Sequence, residues 1–130
     1  MNFKKIALVA ARTLFGALFV FSGASGLFHL MPAADAGMPA AAKALSSAMV
    51  QSGYLMSLVY ATQLGAGLLL VSGFFVPLAL VVIAPVVVNI FAFHLFLAPA
   101  GMGIAVVTSA LELILAWNYR SAFAPLLRRK

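Results

Sequence analysis

Pro77-Leu-Ala-Leu-Val-Val-Ile-Ala-Pro85-Val-Val-Val-Asn89-Ile-Phe-Ala-Phe-His94-Leu-Phe-Leu-Ala98 is a stretch without a single Lys, Arg, Asp or Glu. At 1.5 Å per residue, a helix of roughly 20 residues crosses a ~30 Å hydrocarbon core. A membrane strand needs only about 10 residues and alternates in polarity, and this stretch does not alternate. Its length and uniform apolarity predict a transmembrane helix, with Pro85 expected to kink it.

The same pattern recurs on both sides. Helices are expected at about 6–30, 54–73, 77–98 and 102–119, and a short interfacial helix at about 39–50. Gly73-Phe-Phe-Val-Pro77 and Pro99-Ala-Gly-Met-Gly103 are tight turns, which make successive helices antiparallel neighbours. The prediction is an all-α integral membrane four-helix bundle, a single domain over 1–130. Small residues four apart, Ser22/Gly26, Ala61/Gly65 and Ala105/Ser109, mark candidate sites of close helix approach.

Composition agrees: 65% of residues are hydrophobic and 8% charged, with a mean hydropathy of +1.17. A soluble domain carries about 25% charged residues, so the solvent of this surface is lipid. The absence of cysteine removes disulfides, thiolate metal sites and CxxC redox chemistry. The net charge of +6 is concentrated at the ends: Lys4, Lys5 and Arg12 open the chain, and Arg120, Arg128, Arg129 and Lys130 close it. The 31–53 connection holds only Lys43. This is a topology signal and not a nucleic-acid patch, and it places both termini in the cytoplasm. Trp117 and Tyr119 fit an inner aromatic belt, Tyr54 an outer one, and Phe123, Leu126 and Leu127 an interfacial tail. Residues 1–26 also look like a cleavable signal peptide, but Arg12 interrupts the apolar run, so a retained helix is expected.

Ionisable groups within a membrane are costly and mark candidate sites. Arg12 and Glu112 each lie about 10 Å from the same, inner side of the membrane at 1.5 Å per residue, and Gln63 falls slightly deeper. A buried Arg12–Glu112 pair bridged by Gln63 is expected, with helix pinning as its plain role. His29 and His94 should share the opposite layer with Met31, Met56 and Met102. Imidazoles with thioethers suit a haem iron, a copper ion or a quinone headgroup, although an interfacial histidine is the plainer reading. Asn89, one turn after Pro85, is expected to bond the backbone freed by the kink or to line a polar cavity. Asp35 is expected to be solvated. No catalytic triad, phosphate loop or metal cluster of recognised spacing is present, so autonomous catalysis is not expected and no cofactor is required.

Several segments together resemble the DoxX family of small bacterial membrane proteins. These are Phe75–Leu97, most specifically Pro85-x-x-x-Asn-Ile-x-x-x-His-Leu-Phe-Leu97, then Arg12 with Gly16, Ser52-Gly-Tyr54, and Leu111-Glu-Leu-Ile-Leu-Ala-Trp-Asn-Tyr-Arg120. The resemblance implies a four-helix membrane bundle linked to a thiosulfate:quinone oxidoreductase or to oxidative-stress complexes. Many relatives carry Glu where this chain has Gln63, which can hydrogen-bond but cannot act as an acid or base. The expected function is a redox-associated membrane subunit, with His29, His94 and Asn89 as candidate quinone or haem contacts and a protein partner or a second copy alongside. The alternatives are an assembly protein without chemistry or, less favoured, a small transporter, for which a first-helix acid is missing.

Overall fold

Every regular element among the described residues is helical. The computed structural model describes residues 2–32 and 37–129. It contains α1 (Phe3–Leu27), α2 (Ala40–Gln51), α3 (Leu55–Ser72), α4 (Val76–Phe96), α5 (Met102–Asn118) and α6 (Arg120–Phe123), with 3-10 turns at Pro99–Gly101 and Ala124–Leu127. Asp35 and Lys130 lie outside the described residues. Four helical segments, Phe3–Leu27, Leu55–Ser72, Val76–Phe96 and Pro99–Asn118, are long and apolar enough to cross a membrane. The chain is a multi-pass membrane protein.

Local chemistry sets the helix ends. Asn2 Oδ1 accepts hydrogen bonds from the amides of Lys4 (2.7 Å) and Lys5 (3.4 Å), the N-cap geometry that starts a helix. At the other end Leu30 N donates to Ser25 O at 3.1 Å while His29 takes φ 51°. This is the left-handed helix stop that glycine usually fills. Together these place α1 three residues earlier than the expected 6–30. Ser72 is followed by Gly73 at φ 82°, whose amide donates to Leu69 O at 3.0 Å, and the chain re-enters α4 one residue before Pro77. α4 continues through Pro85 as one helix.

α1 packs most extensively against α3, α3 and α5 flank α4, and α5 also touches α1. Along the α1–α3 seam, Gly16 meets Gly67 and Leu70, Ser22 meets Gln63, and Gly23 meets Leu64 and Tyr60. Numbers rise in one helix as they fall in the other, so these two run in opposite directions. A Cβ on Gly23 would lie 2.6 Å from Leu64 N and from Tyr60 O, and one on Gly67 would lie 2.7 Å from Val20 N. The backbones touch, which is how membrane helices gain dispersion energy without a hydrophobic drive. Gly65, expected at such a contact, faces open space; the seam uses Gly67, two residues on and so on another face.

The core behind this seam joins Phe15 and Phe19, whose rings meet edge-on at 5.0 Å, with Leu70, Leu80, Ile83 and Leu115. Val81, Val88, Phe91 and Phe96 of α4 stay exposed, as lipid-facing residues do. At the chain's end Phe123 packs against the core, while Leu126 and Leu127 remain exposed. The Arg120 guanidinium stacks 4.7 Å from the Trp117 ring and donates to Trp117 O at 2.9 Å.

Candidate functional site

The polar side chains expected to form one buried network separate into three environments. Gln63 is buried at 6% exposure, and its Oε1 accepts a 2.7 Å hydrogen bond from Ser22 Oγ. It therefore fastens α3 to α1 and does not bridge Arg12 to Glu112. Ser22 was read from the sequence as a small spacer; its match in height to Gln63 was the signal for this bond.

Arg12 projects to the end of α3. A Cβ on Gly73 would lie 2.7 Å from Arg12 Nη1, so the guanidinium rests on the bare Cα of that turn. The last carbonyls of a helix lack partners within it, and the dipole there is negative. The guanidinium therefore lies at the negative end of the α3 dipole, although it makes no hydrogen bond to the carbonyls there among the described residues.

Glu112 faces the other way. It lines the groove between α4 and α5 with Ala84, Val87, Phe91, Ser109 and Ala116, an otherwise apolar recess of about 470 Å³. Among the described residues no hydrogen bond or ion pair joins Arg12 to Glu112, and both Arg12 Nε and Glu112 Oε2 are buried without a partner. Matching depth brought the two to one level, but rotation about the helix axes points them to different neighbours. A carboxyl in such a recess is neutralised by taking up a proton or by meeting a donor or cation; Ser109, one turn earlier on α5, lines the same groove.

The second layer also divides. His94 Nδ1 lies 3.2 Å from Ala98 O; because a carbonyl only accepts, that nitrogen carries the proton. The ring packs against Gly101, where any Cβ would collide with it, and Phe93 meets it edge-on at 5.4 Å. His29 lines a separate cavity of about 110 Å³ with Met49, Met56, Tyr54 and Tyr60. Asn89 is exposed and makes no hydrogen bond among the described residues, so it does not serve the backbone near Pro85; it borders a groove with Leu45, Met49 and Pro85. His29 and Asn89 thus line different recesses that share Met49, and His94 lines neither.

A family model for DoxX matches residues 7–95, more than half of the chain. The chain belongs to the DoxX family. In this DoxX protein the matched segment contains Arg12, Ser22, His29, Gln63, Asn89 and His94, and it ends before Glu112. The likeness seen at Leu111–Arg120 thus lies beyond the match. No curated protein and no solved structure matches the chain.

Proposed function

We propose that this DoxX protein is a membrane subunit that docks a partner of a quinone-linked redox or oxidative-stress complex through the α4–α5 groove. It does so as an antiparallel four-helix bundle of the bacterial inner membrane, with both termini cytoplasmic. The observation that carries the reading is Glu112 Oε2, buried in an apolar recess without a partner. Arg12, the basic residue expected at the depth of Glu112, lies instead against the turn that ends α3, and among the described residues no cation pairs with Glu112. A donor on a neighbouring transmembrane helix completes the groove. The redox setting rests on the family resemblance, and the cytoplasmic termini on the clustering of Lys and Arg at both chain ends.

The test places a photo-crosslinking residue at Leu113, exposed beside Glu112, in native membranes. The expected product is an adduct to a redox-enzyme subunit that disappears in Glu112→Leu. Adducts confined to lipid, or unchanged by that substitution, would rule the reading out. An adduct between two copies would replace the redox partner with a homo-oligomer.

A further inference from the structure

One imidazole and two thioethers, from three elements, line one cavity. His29 comes from the stop of α1, Met49 from α2 and Met56 from the first turn of α3; together they line the recess of about 110 Å³. The residues lining it include no carboxylate and no Lys or Arg. One imidazole and two thioethers form a neutral, soft donor set, the kind that selects Cu(I) over Zn(II), Mg(II) or Ca(II). A monovalent ion also brings the least charge to a site whose lining is uncharged.

The backbone at His29 gives a second, independent indication. Its φ of 51° lies in the left-handed region, which costs a non-glycine residue about 1–2 kcal/mol. A helix stop alone is best made with glycine. Here the position carries an imidazole that forms no hydrogen bond among the described residues and borders the cavity. Phe75 adopts almost the same φ at the start of α4, so the strain alone assigns no role; at His29 it coincides with an uncommitted ligand, and that coincidence supports the metal site. Methionine side chains are flexible enough to close on an ion by rotamer change, while Tyr60, packed on Gly26, forms a fixed wall.

We propose that His29, Met49 and Met56 form a binding site for a soft monovalent metal ion, Cu(I) under cellular conditions. The site lies on elements other than the Glu112 groove and stands independently of the docking reading.

The full chain in detergent, kept anaerobic, is titrated with Cu(I) against bicinchoninate. Ag(I) serves as the redox-silent probe for NMR of ¹³C-methyl methionine. One Cu(I) per chain is expected, and of the six methionines only Met49 and Met56 should shift with Ag(I). His29→Gly, Met49→Leu and Met56→Leu should each raise the Kd at least tenfold. Glycine relieves the strain of the helix stop and leucine conserves volume, so metal-free thermal stability should rise in His29→Gly and stay near that of the parent in the two Leu variants; this separates lost ligation from lost folding. The proposal is overturned if the parent takes no Cu(I) from the chelator, if Met31, Met38 or Met102 shifts instead, if the stable variants bind as the parent does, or if Zn(II) competes on equal terms.

Discussion

At the scale of single residues, Glu112 and Arg12 set opposite balances of stability and use. A buried carboxyl without a partner costs about 1–3 kcal/mol, so Glu112→Leu should raise the thermal stability of the isolated chain by that order while abolishing the proposed partner adduct. Unfolding in detergent alongside crosslinking reads both, and a destabilised Glu112→Leu would mean that the carboxyl is already satisfied. Gly73→Ala attacks the other charge. A Cβ there must adopt φ 82° and lie 2.7 Å from Arg12 Nη1, so a loss of about 1–3 kcal/mol is expected in the same assay. Both residues were visible in the sequence as intramembrane charges, and their common depth followed from rise per residue. Their pairing was not legible, because depth fixes height but not the direction a side chain faces. The actual seat of Arg12 is a helix end with no side chain to announce it, and Met49 was overlooked because nothing in the sequence orients a short surface helix.

At the scale of elements, the α1–α3 seam depends on backbone contact. Gly23→Ala should cost about 1–3 kcal/mol through forced separation of the helices. Gly65→Ala, whose Cβ would meet nothing within 4 Å, should be neutral or stabilise by about 0.5–1 kcal/mol. Equal effects of the two in thermal unfolding would remove the seam from the account. The existence of all four spans was legible, since each is long, apolar and bounded by charge or a Gly/Pro turn. Their faces were not: α3 and α4 are apolar all round, so no polar stripe reveals which side meets a neighbour, and a spacing of four selects Gly65 as readily as Gly67. The start of α1 was misplaced because the charged Lys4 and Lys5 looked like flanking residues, whereas Asn2 draws both into the helix.

At the scale of the molecule, the lack of cysteine makes topology directly measurable. Under the proposed arrangement, Ser47→Cys on α2 should react with a membrane-impermeant maleimide on intact spheroplasts. Ser121→Cys on α6 should react only after permeabilisation, and the reverse pattern would invert the orientation. The order of the helices was readable from their short connections, but the closure of α5 onto α1 was not, since no loop joins them.

The resting place of Arg12 also imposes an order on biogenesis. The ribosome finishes the first span long before it makes Gly73, an interval on the order of several seconds at about 5–20 residues per second. Throughout it the guanidinium has no seat within its own chain. A long, flexible side chain about 10 Å below the surface can meanwhile snorkel to the headgroups. The first helix is therefore free to insert at once, and Arg12 turns inward when the end of the third helix arrives beside it.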